Sequence, residues 1–122
     1  MSPKMNMCFN FAQDGPLPQV VKWCKEVEEA GFKYIGMPDS QLLRREFYVS
    51  YTACVLNTSD AFFIPLVSNP LPRHPSVTAG GMLSLSELAP GRVSLGLGAG
   101  DSASHAIGLT QAKVETIRAY VQ

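Results

Sequence analysis

The chain has 122 residues, 46% of them apolar, and its ten basic and ten acidic side chains cancel. That length and composition describe one folded domain over residues 1–122 rather than a disordered tail. Zero net charge provides no general field for a polyphosphate backbone, so a nucleic-acid partner is not expected.

The one basic doublet, Arg44-Arg45, reads as a solvated loop pair. Cys8, Cys24 and Cys54 form no CxxC pair and lie in apolar stretches, so free, buried thiols in a reducing compartment are expected. No apolar run reaches the roughly 18 to 20 residues needed to cross a bilayer, and residues 1–4 lead into a strand-like segment without a signal-peptide core. The expected location is the cytoplasm.

Four apolar runs bounded by Pro, Gly, Asp or Asn read as strands, at residues 5–11, 34–37, 61–67 and 92–97. Between the first two, Val20, Val21, Cys24 and Val27 recur at helical spacing, with Lys22, Lys25, Glu26 and Glu29 on the other face. Pro18 suits the first turn of that helix and Gly31 its exit. Residues 47–56 read as a second helix despite the β-branched and aromatic bias of Tyr48, Val49, Tyr51, Thr52 and Val55. A third opens at Pro75 and runs through Val77, Met82 and Leu85 to Leu88, where Pro90-Gly91 stops it. A last helix is expected over residues 112–122, with Val114, Ile117 and Val121 on one face.

Alternating strands and helices imply parallel strands joined by right-handed crossovers, because parallel neighbours need a long return connection. Two α/β arrangements fit. A half barrel places four strands in order one to four with every helix on one side, whereas a flavodoxin-like sheet carries helices on both.

Ligands of such folds gather at the carboxyl ends of the strands, which directs attention to Pro38-Asp39-Ser40, Val67-Ser68-Asn69-Pro70 and Gly98-Ala99-Gly100-Asp101-Ser102. In the fourth strand Val93, Leu95 and Leu97 alternate with Ser94, Gly96 and Gly98. The bare face either lets a ring or phosphate approach the backbone or lets neighbouring elements pack closely; both readings stand. The run Gly96-Leu97-Gly98-Ala99-Gly100-Asp101 opens like a dinucleotide fingerprint, but Asp101 replaces the third glycine and the motif follows the wrong strand. Asp39 can also be read as a turn residue capping backbone N–H groups. His74, before Pro75, is expected to serve the helix entrance, and His105 to face water. No His/Cys/Asp set has metal-ligand spacing, and Ser84 and Ser86 have no paired base.

Several of these segments together resemble the luciferase-like monooxygenases. They are Glu28-Glu29-Ala30-Gly31-Phe32, Tyr34-Ile35-Gly36-Met37-Pro38-Asp39, Asn69-Pro70, Arg73-His74-Pro75, and Gly91 through Ala103. The resemblance is to the branch with deazaflavin-dependent methylenetetrahydromethanopterin reductases and FMN-dependent relatives. It implies a TIM barrel with coenzyme F-420 or FMN at the carboxyl ends of its strands, and hydride transfer or monooxygenation as the chemistry. It further implies cofactor-binding roles for Asp39, Val67, Ser68, Gly98, Gly100 and Asp101, and a cis peptide between Leu66 and Val67. Many relatives have His after the aspartate; Ser40 here cannot act as a near-neutral acid or base.

A full barrel takes eight β-α units and about 250 residues, and its phosphate site is often built by the last two loops. Four units are therefore expected to form the amino-terminal half alone, inactive by itself. Its open strand edges invite self-association or pairing with a second half. A non-catalytic half-barrel module is the alternative from another class.

Overall fold

The computed structural model describes residues 5–122. Strand β1 (Cys8–Asn10), helix α1 (Leu17–Glu29), strand β2 (Tyr34–Met37), helix α2 (Phe47–Leu56), strand β3 (Phe62–Pro65) and helix α3 (Pro75–Leu88) alternate along the chain. Helices α4 (Ser102–Ala106) and α5 (Val114–Tyr120) follow. The strands are parallel in the order β1-β2-β3, with Cys8 opposite Tyr34 and Ile35 opposite Phe63.

Alternation along the strands decides where the core sits. Ile35 and Met37 of β2 and Phe63 of β3 turn to one face and are fully buried. Val20, Cys24 and Val27 of α1, Phe47, Tyr51, Cys54 and Val55 of α2, and Leu85 of α3 meet them there in one cluster. The three crossover helices thus cover a common face. Together with the sequential strand order, this is half of an α/β barrel and not a doubly wound sheet.

Helix α2 forms against its residue propensities because tertiary contacts outweigh them. The Glu46 carboxylate accepts from the Val49 amide at 2.8 Å, capping the first turn. Tyr51 is buried with its hydroxyl accepting from the Met37 amide at 3.1 Å, which ties α2 to β2. Full burial of each such large side chain stabilises by about 1.5 to 3 kcal/mol. At the opposite end of the sheet from the site, Glu28 accepts from the amides of Ser59, Asp60 and Ala61, and Arg92 donates to the carbonyls of Val55 and Ala61.

Three expectations need correction. The fourth strand is not a ladder: residues 92–98 make two isolated parallel bridges, Val93 with Phe63 of β3 and Leu97 with Ser68 in the loop after it. The partners are 30 positions apart at the first bridge and 29 at the second, so the β3 side carries one extra residue and pairing breaks as at a bulge. Cys8, read as buried, is exposed: it lies on β1, which among the described residues pairs only with β2, while Cys24 and Cys54 are buried free thiols. The final helix is shorter than residues 112–122 and buries none of its side chains, and the short α4 breaks the loop before it. Among the described residues, no helix is long and apolar enough to cross a membrane, and no group of three or more potential ligands could hold a metal ion.

Candidate functional site

Asp39 ends the loop step out of β2 and is 2% exposed. A buried carboxylate needs compensation, and three side chains supply it. Ser68 Oγ donates to Oδ2 at 2.6 Å, and Gln41 Nε2 donates to Oδ1 at 2.7 Å. The Arg73 guanidinium grips both oxygens, Nη1 on Oδ2 and Nη2 on Oδ1 at 3.1 Å. Arg73 also donates to Glu46 Oε1 at 3.1 Å and lies over the Tyr48 ring, 5.0 Å from its centroid. Burial works against the Arg73 charge, but the hydrogen bonds and field of Asp39 outweigh it and raise its pKa above the ordinary value. Burial likewise raises the Tyr48 hydroxyl above the usual tyrosine range.

This network joins the loops after β2 and β3. The Asp39 amide points at the Val67 carbonyl at 3.4 Å, and the Leu66–Val67 peptide is cis, at the position the resemblance implied. Val67 itself stands 41% exposed on the rim. Ser68 in turn fastens the glycine segment: its amide donates to the Gly96 carbonyl at 2.9 Å, and its carbonyl accepts from the Gly98 amide at 2.8 Å.

The bare face of residues 92–98 has a structural cause. A Cβ on Gly96 would sit 2.3 Å from the Pro65 carbonyl oxygen, and one on Gly98 would sit 2.6 Å from Val67 Cγ2. Neighbouring chain already fills the space, so these glycines permit close packing against β3. Gly100, at φ 75°, adopts a left-handed conformation beside Asn69 and Ser104.

The structure therefore brings Asp39, Val67, Ser68 and Gly98 into one contact set, with Gly100 adjoining through Asn69. Asp101 stands apart: its side chain is 76% exposed, accepts from Gln111 Nε2 at 3.0 Å and lies 3.5 Å from His105. His74 accepts from the Ser76 amide at 3.3 Å and caps α3, away from Asp39. Reasoning from sequence missed Arg73 and Gln41 as partners of Asp39, and Glu46 as a second acceptor for Arg73. Arg73 stood in the Arg73-His74-Pro75 run, but only folding reveals what it faces.

Beside the network lies a cleft of about 270 Å³ lined by Ser40, Gln41, Arg44, Arg45, Glu46 and Arg73, among others. Gln41 Oε1 is buried without a protein hydrogen-bond partner. Leu42, at φ 65° and 82% exposed, holds a left-handed turn on the same rim. The arrangement offers an apolar platform at Val67, a rigid polar support beneath it and a neighbouring polar cleft.

Comparison with known proteins agrees with this geometry. The chain is 30% identical over 100 residues to the 5,10-methylenetetrahydromethanopterin reductase of Methanolobus tindarius, covering 82% of this chain and 30% of that protein. Against the enzyme of the same name from Archaeoglobus fulgidus, identity is 31% over 110 residues, covering 89% and 33%. The chain thus spans about a third of the length of these relatives. Among solved structures, the coenzyme F-420 dependent tetrahydromethanopterin reductase of Methanopyrus kandleri superposes with a TM-score of 0.85 at 21% identity, over 95% of this chain and 38% of that one. The oxygenating constituent of 3,6-diketocamphane monooxygenase from Pseudomonas putida, in complex with FMN, gives 0.76 at 20% identity over 96% and 37%. The family model described as luciferase-like monooxygenase matches residues 6–118, and the chain belongs to that family.

Proposed function

We propose that the described residues form one wall of a cofactor site in a flavin- or deazaflavin-dependent oxidoreductase. The observation that carries this is Val67, an exposed apolar side chain at the carboxyl rim, held from beneath by the Ser68–Asp39–Arg73 network. The residues fit a flat ring: Val67 offers it an apolar face, and Gln41 and Arg73 are among the polar residues of the cleft beside the network. When bound, coenzyme F-420 or FMN supplies the hydride or oxygen chemistry.

The chain's own residues bind and orient. Val67 and Ser68 back the ring, and Asp39 acts through them, since its oxygens are already engaged by Ser68, Gln41 and Arg73. Gly98 and Gly100 let the glycine loop follow that wall, and Asp101 marks its outer end. Neither His74 nor His105 joins the network, so proton transfer is not assigned to a histidine. The relatives' names support a small-molecule substrate and a hydride acceptor or donor, while the free, buried Cys24 and Cys54 support a reducing, cytoplasmic setting.

With one wall present, the chain alone is expected to show no cofactor-dependent turnover, because catalysis needs a complete binding geometry. The open β1 edge favours a second reading, in which the chain works as a half-barrel module paired with another half. The test titrates FMN and coenzyme F-420 fluorescence against the chain, alone and mixed with the carboxy-terminal remainder of the Archaeoglobus fulgidus reductase. Binding in the mixture that falls with Val67→Asp and Asp39→Ala supports the site. Undiminished binding by Val67→Asp and Gly98→Val, with loss in His74→Ala, overturns it.

A further inference from the structure

Gln13, in the loop after β1, is fully buried, although its neighbour Asp14 is exposed. Its Nε2 group donates to the Pro38 carbonyl at 2.8 Å and to the Arg45 carbonyl at 3.4 Å, and its own main-chain carbonyl accepts from the Arg45 amide at 3.5 Å. Two facing carbonyls require a donor, so the side-chain amide can sit in only one orientation. Oε1 is then buried without a protein hydrogen-bond partner, a cost that a space-filling apolar residue would not carry.

The two carbonyls belong to the residues immediately before Asp39 and Glu46, the two carboxylates that Arg73 bridges. The segment 39–46 is therefore fastened twice across its base, by the Gln13 amide through the main chain and by the Arg73 guanidinium through the side chains. Neighbours of Gln13 add outer ties: Asp14 pairs with Arg44 at 3.0 Å, and the Gly15 carbonyl accepts from Arg45 Nε at 3.3 Å. Between the fastened ends Leu42 keeps its left-handed turn at φ 65°, a conformation that a residue other than glycine holds only when its surroundings enforce it. Gln13 does not line the cleft beside the network. Its influence on a ligand there passes through the loop.

Resting on the reading that these residues form a cofactor wall, we propose that Gln13 is a positioning residue of that wall: its amide fixes both ends of the loop and so sets Asp39 against Ser68 and Arg73. A loop closed before the ligand arrives need not be ordered on binding, which is how the clamp adds affinity for a ring backed by Val67 and Ser68.

Gln13→Met keeps the length of the side chain and Gln13→Glu its shape, but neither a thioether nor an ionised carboxylate donates to the two carbonyls. Amide hydrogen exchange of the 122-residue chain, followed residue by residue by NMR, should quicken about tenfold at Asp39, Arg44 and Arg45 in Gln13→Met, and further in Gln13→Glu, where oxygen faces oxygen. Val55→Ala, in the core, controls for general loosening and should raise exchange in α1 and α3 as much as in the loop. In the mixture with the Archaeoglobus fulgidus remainder, Gln13→Met should weaken FMN or coenzyme F-420 binding about tenfold, and Val55→Ala should not. Loop exchange that is unchanged in the Gln13 variants, or that rises only in step with α1 and α3, would overturn the clamp. So would failure of both variants to fold, since the clamp acts locally; if only Gln13→Glu fails, Gln13→Met carries both readouts. Ring binding as tight in Gln13→Met as in the parent would overturn the positioning role and leave the cofactor reading intact. A parent mixture that binds neither ring overturns the cofactor reading and, with it, the role assigned to Gln13.

Discussion

Arg73 holds both carboxylate oxygens of Asp39, with Nη2 3.1 Å from Oδ1, and its side chain is only 12% exposed while that of Asp39 is 2% exposed. Removing one partner of such a pair leaves the other charge buried and unpaired, a loss of about 3 to 5 kcal/mol. Arg73→Met is therefore expected to destabilise more than the double change Asp39→Asn with Arg73→Met. Urea unfolding followed by Trp23 fluorescence measures both; equal losses would show that the pair is not coupled.

Two adjacent glycines of α3 should respond in opposite directions. A methyl added at Gly80 would meet nothing within 4 Å, so alanine there should stabilise the helix by about 0.5 to 1 kcal/mol. A methyl on Gly81 would lie 2.5 Å from Tyr48 Cε1, so Gly81→Ala must displace the ring that stacks on Arg73 and should destabilise. Thermal midpoints of the two variants decide the matter, and a shared sign would contradict it.

Gly96→Ala should be more damaging than either, since the obstacle is the Pro65 carbonyl rather than a movable side chain. The expected signature is a loss of stability without any cofactor present, measured by chemical denaturation. A variant as stable as the parent would return the bare face of this segment to a ligand-binding explanation.

Acid should weaken the end of the sheet away from the site. Burial opposes the Glu28 charge, but amide hydrogen bonds from Asp60, Ser59 and Ala61, with the field of Arg92, outweigh it and lower the pKa. A carboxylate with a depressed folded-state pKa contributes stability above its unfolded value, about 4.3 for glutamate, and the contribution is lost as pH falls through the folded value. The chain should lose stability on acidification below that range, and Glu28→Gln should flatten this part of the pH profile. An unchanged profile in the variant would assign the acid sensitivity elsewhere.

Much of the fold is legible in local pattern. Val20, Cys24 and Val27 mark the buried stripe of α1, Pro75 and Pro90-Gly91 bracket α3, and the spaced apolar runs announce parallel β-α units. These features are legible because periodicity and turn chemistry act over a few residues. The loops that carry Asp39, Val67 and Ser68 could likewise be picked out, since parallel topology alone directs attention to strand carboxyl ends.

Partnership is decided elsewhere. That Arg73 closes on Asp39 across 34 positions, that the Val67 side chain stands over Gly98, and that one extra residue breaks the pairing of the β3 side with residues 92–98 depend on contacts between segments distant in the chain. A buried charge requires a counter-charge, but composition does not say which arginine will be near, and a bare strand face looks the same whether a ligand or a neighbouring strand covers it. The amino acids thus determine which groups must be satisfied, and only the folded geometry determines by whom.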